Sequence, residues 1–278
     1  MSMSTVTPPF SFFSIGIRQA RQESEMSGIT HATIRAAGLG DVEHILAEYR
    51  QAVAELPLEE SANLLWRPYD EFKTAVENGL FFVIENAVGS FMAGAGVFDL
   101  LGSAEKELGM CYVKKEWRGY GLQTLLLQIR ICAATLGQVP DKSKDDTTPK
   151  SFAALITGVK PANEHSAVNT ERLGFESLPT PPSALFNACA SCRTPPAPGS
   201  ERKCCCDFFY LSDARRAEAI EKSLRMENWS RTRNAHELIV ALKIRHLLDI
   251  DFRNALHDIV QELRVQELQV PMPGKQVK

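Results

Sequence analysis

Arg118-Gly119-Tyr120-Gly121 stands between a strand-like run, Glu107-Leu-Gly-Met-Cys-Tyr-Val113, and a long stretch of helical apolar spacing that begins at Leu122. Two glycines let the turn take positive φ and let a ligand come close to the backbone. The helix behind it points its unpaired N–H groups and the positive end of its dipole into the turn. Strand, glycine turn and helix start together make an anion site, most often for phosphate. Arg118 adds a fixed positive charge at the mouth, and Thr124 brings a hydroxyl into the first helical turn.

Glu107 opens the strand before that turn. A carboxylate at a strand start, near apolar Leu108 and Met110, is expected to hold its proton more readily and to act through water as a general base. The competing reading is a solvated strand-end glutamate, and Glu105 and Glu85 are weaker candidates. His165, alone in a first helical turn, reads as a surface residue.

The chain has seven cysteines. Cys111 and Cys132 fall in expected core elements and read as small buried hydrophobes. The other five lie between Cys189 and Cys206. Cys189-Ala-Ser-Cys192 followed by Cys204-Cys-Cys206 approaches zinc-ligand spacing, with Cys204 and Cys206 on one side of a strand. A tetrathiolate of Cys189, Cys192, Cys204 and Cys206 is the minority reading. A loop with free thiols and no metal is preferred, and without a secretion signal disulfides are not expected.

These residues need elements to place them. A first strand is expected over Thr33–Ala37. Asp41 is read as the N-cap of a helix with apolar residues at 42, 45, 46, 49 and 53. A second helix runs from Trp66 to Asn78, and Leu80–Glu85 and Phe91–Leu101 form a hairpin. The small residues Ala93 to Gly96 suggest close approach by another backbone. Glu107–Val113, a helix over 122–136, a strand over 152–159, a helix over 165–173 and a short strand to Leu178 follow. The order is β-α-α-β-β-β-α-β-α-β. Pro179 to Arg202 reads as a long insertion before a final strand, Cys204–Leu211. Helices over 213–229 and 234–263 close the chain, the second with a narrow seam of Leu248, Phe252, Ala255, Ile259 and Leu263.

The chain has 278 residues, 44% of them hydrophobic and 23% charged, with a formal net charge of −3. This is ordinary soluble composition. No global basic excess points to nucleic acid, although net charge does not report its distribution. No run of about 18 or more apolar residues suggests a membrane span. A cytoplasmic location is the default expectation.

The glycine turn also resembles the GNAT family of N-acetyltransferases, which carry Q/R-x-x-G-x-G/A after their fourth strand and bind the pyrophosphate of acetyl-CoA there. Arg118 and Gly121 fill the first and fourth positions, while Gln123 stands where the family has Gly or Ala. Val159-Lys-Pro-Ala-Asn163-Glu-His-Ser166, followed by Leu173-Gly174-Phe175, resembles the family's V-x-P-x-N-x-x-S/A…LGF segment. The resemblance covers roughly residues 30 to 212. It implies an α/β GNAT fold, a mixed, mostly antiparallel sheet with splayed parallel fourth and fifth strands and flanking helices, to which the two C-terminal helices add an extension. The chain is thus read as a flexible tail over 1–28, an acetyltransferase domain over 29–212 with the loop at about 179–203, and the extension over 213–270.

On the same resemblance the chain transfers acetyl from acetyl-CoA to a primary amine by direct attack. Backbone groups of Cys111, Tyr112 and Val113 pair with the pantetheine arm. The N–H groups of the turn and helix start, from Gly119 through Tyr120, Gly121, Leu122 and Gln123 to Thr124, hold the pyrophosphate beside Arg118. Asn163 and Ser166 meet the cofactor's other side. Glu107 matches the position of the family's catalytic glutamate. Thr170 stands where many members have a proton-donating tyrosine, so Ser166 or Tyr112 is the substitute acid. The acceptor side offers Glu55, Glu59, Glu60, Trp66, Tyr69 and Asp70, a lining suited to a cationic amine. The rival readings are a non-catalytic acyl-CoA-binding module and a zinc-stabilised interaction protein. The C-terminal helices either pack on the core or form a homodimer.

Overall fold

The computed structural model describes residues 28–55, 67–100, 105–137, 153–161, 163–179 and 206–269. Their first strand, β1 (Ile29–Ala36), is followed by α1 (Val42–Glu55) and α2 (Tyr69–Glu77). The hairpin β2 (Phe81–Asn86) and β3 (Phe91–Asp99) leads to β4 (Lys106–Val113), α3 (Leu122–Leu136) and β5 (Leu155–Val159). Then come α4 (Glu164–Arg172), β6 (Phe175–Ser177), β7 (Asp207–Leu211) and α5 (Asp213–Leu224). A second hairpin, β8 (Asn228–Arg233) and β9 (His236–Lys243), precedes a short α6 (Arg245–Leu248) and the long α7 (Ile250–Gln269).

Among the described residues these strands form one mixed sheet in the order β6-β7-β5-β4-β3-β2-β1-β9-β8. Only β4 with β5 and β1 with β9 run parallel; the other neighbours are antiparallel. On one face α1 and α2 bury Ile45, Leu46, Tyr49, Phe72 and Val76 against Phe81, Val83 and Phe91. On the other face α3, α5 and α7 contribute Leu125, Ile129, Ile220, Leu256 and Leu263 to a larger core. Since α5 and α7 cover the back of α3, that helix is buried almost all round, Leu125 through Thr135 included. The expected element order through β7 and the mixed, mostly antiparallel sheet are as read from the sequence.

Four local expectations are corrected. Asp41 does not cap α1: its carboxylate accepts from the Gly38 N–H at 2.7 Å and pairs with Arg35, fixing a one-turn 3₁₀ segment before the helix. The small residues of β3 make room for rings, not for another backbone. A Cβ on Gly96 would lie 2.7 Å from Phe81 and 2.8 Å from Phe98. The C-terminal extension is helical at its two ends, but β8 and β9 stand across the end of the first expected helix, the gap after it and the start of the second, from 234. Leu238, Val240 and Leu242 are buried at period two, the strand spacing. The Asn234–Ala235 turn has φ of 49° and 60° at its two residues, as a two-residue hairpin loop requires. Finally, the buried side of α7 is Leu256, Ile259, Val260 and Leu263, while Leu248 is exposed. The seam is therefore rotated from the expected one and faces α5 and α3 within the chain. No helix among the described residues is long and apolar enough to cross a membrane.

Candidate active site

The site is built where β4 leaves the sheet's regular ladder. β4 and β5 are paired at only two positions, Lys106 with Leu155 and Glu107 with Ile156. Beyond them the Thr157 hydroxyl donates to the Leu108 carbonyl at 2.9 Å, and the strand ladder ends. The β3–β4 register shifts between Gly94 and Gly96, and Met110 has φ of 48°. This is a bulge, which bends the strand and re-aims its groups.

Side chains from both layers fix the bulge. From α1, the buried Tyr49 hydroxyl donates to the carbonyls of Gly94 (3.0 Å) and Met110. From α3, the buried Arg130 guanidinium donates to the carbonyls of Gly109 (3.1 Å) and Gly96 (3.4 Å), and its Nε to Leu126 (3.2 Å). Burial lowers the Arg130 pKa and raises that of the Tyr49 phenol well above its usual range. Burial also raises the neighbouring Cys111 thiol, with Arg130 opposing, so Cys111 is no thiolate nucleophile.

After Val113 the chain passes through a 3₁₀ turn, Lys115–Trp117, into the glycine turn. Gly119 and Gly121 have φ of 89° and 73°. Gly121 is the N-cap of α3 and supplies no side-chain cap, so the first-turn N–H groups of Leu122, Gln123 and Thr124 face outward from the helix end. The side chains of Tyr120 and Leu122 are buried. Tyr120 lies edge-on to His236 and near Trp117. Those two residues therefore offer only backbone to a ligand. Arg118 is exposed and its Nε donates to the Val113 carbonyl at 3.2 Å. The β8–β9 hairpin closes the other side of the turn. Trp229 Nε1 donates to the Tyr120 carbonyl at 3.3 Å, and Arg233 donates to the Arg118 carbonyl.

Gln123 does not point at the turn. Its amide donates to Ser166 Oγ at 2.6 Å and accepts from Asn169 Nδ2 at 3.0 Å, tying α3 to α4. Asn163 caps α4, its Oδ1 accepting from the Ser166 N–H at 3.2 Å. The Thr170 hydroxyl is turned back into its own helix, donating to the Ser166 carbonyl at 2.8 Å. It is buried and is not presented to the cleft.

Glu107 is 4% exposed and sits at the last paired position before β4 and β5 part. The expectation of an isolated carboxylate among apolar neighbours does not hold. Leu108 lies in the core under α3, on the other face, and Glu107 forms an ion pair with Arg67 just ahead of α2. The Arg67 guanidinium also pairs with Glu71 at 3.1 Å and lies over the Phe98 ring at 5.1 Å. Sequence reading passed over Arg67, 40 positions from its partner; an arginine beside Pro68 and an acidic helix start was the available signal.

Tyr112 shares the Glu107 face. Its ring stacks on Phe91 with centroids 6.4 Å apart and lies 5.4 Å from Tyr49. Burial raises its pKa, Arg118 opposes, and Glu116, Glu48 and Glu55 raise it further. Acidic groups of α1 thus gather around the phenol, and Glu48 is also paired with Lys114 at 2.7 Å. Of the acceptor-side residues read from the sequence, Tyr69 and Asp70 are exposed on α2. Glu59, Glu60 and Trp66 lie outside the described residues, as do Cys189, Cys192 and Cys204. Cys206 is buried against Leu100, Ile156 and Phe208. Among the described residues no group of three or more His, Cys, Asp or Glu is placed to hold a metal.

No protein-family model and no curated protein matches the chain. Solved structures do. N-acetylglutamate synthase from Neisseria gonorrhoeae, complexed with coenzyme A and N-acetyl-glutamate, is similar at 20% identity and a TM-score of 0.43 over 65% of this chain and 34% of that one. A GNAT superfamily phosphinothricin acetyltransferase from Sinorhizobium meliloti, in complex with AcCoA, is similar at 19% identity and a TM-score of 0.41 over 64% of this chain and 85% of that one. An N-acetyltransferase from Staphylococcus aureus Mu50 is similar at 24% identity and a TM-score of 0.42 over 65% of this chain and 97% of that one. The matched part thus spans 34% of the length of the synthase.

Proposed function

We propose that this chain is an acetyl-CoA-dependent N-acetyltransferase of the GNAT family that transfers an acetyl group to a primary amine within a ternary complex. The observation that carries the reading is the β4–α3 junction. A strand parts from its parallel neighbour after two paired positions, runs through a bulge, and ends in a glycine turn at an uncapped helix start. That junction offers one ligand two things in succession. The open strand edge suits an arm with amide groups, and the turn suits phosphates.

The residues fit such a ligand. Gly119 and Gly121 carry no side chain of their own, the side chains of Tyr120 and Leu122 are turned inward, and Arg118 is exposed beside the turn. The N–H groups of residues 119 to 124 hold the pyrophosphate, and backbone groups of Cys111, Tyr112 and Val113 pair with the pantetheine amides. Acetyl-CoA supplies the acetyl group as an activated thioester. A strand N–H beside the bulge donates to the thioester oxygen where negative charge develops. Tyr49 and Arg130 hold the carbonyls of that bulge, so its donors are preorganised.

The amine nitrogen forms a C–N bond to the acetyl carbon, the C–S bond breaks, and the amine loses a proton. Glu107 receives that proton through water, with Arg67 balancing its charge beforehand. Tyr112, held neutral by burial, returns a proton to the leaving thiolate. Ser166 is the second donor on the α4 side, because it accepts from Gln123 and keeps its own O–H to give. Asn163 contributes by holding the α4 start rather than by reaching the cofactor with its amide. Glu48, Glu55 and Glu116 around Tyr112 favour a cationic acceptor.

A thiol-release assay with acetyl-CoA and a panel of peptide, lysine and small primary amines tests the reading. Saturable release with at least one amine is expected. Binding of coenzyme A without release on any amine leaves the non-catalytic acyl-CoA-binding module, and absence of binding removes the reading altogether.

A further inference from the structure

The β8–β9 hairpin lies outside the stretch that carried the family resemblance, yet it is built against the glycine turn. Strand alternation puts Trp229, Arg231 and Arg233 on one face of β8 and Ser230 and Thr232 on the other. The first face meets the turn. A Cβ on Gly121 would stand 2.9 Å from the Trp229 indole and 3.9 Å from Arg231 Nε, and one on Gly119 would stand 2.9 Å from Arg233 Nη1. Arg233 is held there by its bond to the Arg118 carbonyl, and Arg231 lies over the Trp229 ring at 4.3 Å.

Among the described residues no carboxylate forms an ion pair with Arg231 or Arg233, and the hairpin's own Glu237 is engaged by Ser230 on the opposite face. In a chain of net charge −3, two guanidiniums of one element are thus set against the glycine turn. An indole holds one of them in place instead of a carboxylate. Two like charges on one element, with no carboxylate paired to either among the described residues, favour a polyanionic ligand. Guanidinium forks match phosphate oxygens in pairs.

We propose that Arg231 and Arg233 are phosphate-binding residues for the acyl-CoA, so that the C-terminal hairpin forms the outer wall of the cofactor site, with Trp229 positioning Arg231. This rests on the acyl-CoA reading above. The hairpin thereby supplies the cationic side chains that the turn itself lacks beyond Arg118. Gln123, which replaces a small residue in the motif, is drawn away to Ser166 and leaves the turn open to them.

The test is calorimetric titration of the full chain with coenzyme A and with 3′-dephospho-coenzyme A, using wild type, Arg231→Gln, Arg233→Gln and the double variant. Both residues are exposed, so thermal midpoints should stay unchanged, and Arg231→Lys and Arg233→Lys provide charge-retaining controls. Each glutamine variant is expected to weaken coenzyme A binding about tenfold or more, as loss of a charged hydrogen bond does, with partial recovery by lysine. Equal losses for both ligands assign the pyrophosphate; a loss confined to coenzyme A assigns the 3′-phosphate. Unchanged or tighter binding of both ligands by the double variant overturns the proposal while leaving the acyl-CoA reading intact. A wild-type chain that binds neither ligand overturns both.

Discussion

Gln123 and Ser166 are joined across the helix starts of α3 and α4 by a 2.6 Å hydrogen bond, with Asn169 completing the link through the other end of the same amide. Where the family motif has a residue too small to reach anything, this chain has a strut. Gln123→Ala is expected to lower stability by about 1 kcal/mol, the usual net value of such bonds. On the proposed function coenzyme A affinity should hold, with backbone N–H groups as the phosphate donors. Chemical denaturation alongside titration checks this. Intact stability with tenfold weaker binding would instead assign the amide to phosphate.

Gly121 faces two demands at once, a φ of 73° and the Trp229 indole where a Cβ would go. Gly121→Ala is expected to destabilise the fold by about 1–3 kcal/mol. It should also loosen the hairpin, seen as faster amide hydrogen exchange in residues 228–243. Protection unchanged there would mean that the hairpin is held by β1 alone.

Glu107 and Arg67 form a buried pair, and the Arg67 guanidinium keeps Glu71 when Glu107 is neutralised. Glu107→Gln is expected to cost about 1.5–3 kcal/mol of stability, the range for a bond to a charged group, and to lower kcat by about a hundredfold if the carboxylate takes the amine proton. A double-mutant cycle with Arg67→Gln separates the two effects. Strong coupling in stability with unchanged kcat in Glu107→Gln would leave Glu107 a purely structural residue.

Cys132 sits in the middle of α3, fully buried, and burial pushes its thiol from the ordinary 9.0 up to about 12. Above pH 9 the unfolded chain loses this proton while the folded chain keeps it. The folded state then binds more protons, and stability falls with rising pH until about 12. Cys132→Ala should flatten part of that decline in denaturation series from pH 7 to 11. An unchanged slope would place the alkaline sensitivity elsewhere, with the buried phenols of Tyr49 and Tyr112, which shift in the same direction.

Much of the fold was legible because it is written in local signals. α3 begins at Leu122, after the glycine turn, and ends at Leu136, as its apolar spacing implies. The β4 strand and the Asn163-capped helix were equally plain. The hairpin was not, for two physical reasons. Its turn is Asn234–Ala235 without a glycine, and Leu238-Ile-Val-Ala-Leu242 is a continuous apolar run that suits helix and strand alike. Within the site, the glycine turn could be read from spacing, whereas the partners of Glu107, the destination of Gln123 and the buried position of Arg130 depend on residues brought together only by folding. Arg130 in particular bonds to carbonyls of β3 and β4, partners that nothing in its own helix announces.

The parallel pairing of β1 with β9 also bears on how the chain must be made. The Thr30 hydroxyl and the His236 ring, 2.8 Å apart, are separated by 206 positions in sequence. During synthesis β1 emerges early and pairs with β2, but its other edge has no partner until β9 has left the ribosome. Contacts between such distant segments form slowly, and an open strand edge invites pairing with other chains in the meantime. Nascent chains stalled before residue 243 therefore present an adhesive edge, and the last strands to be made are the ones that seal it.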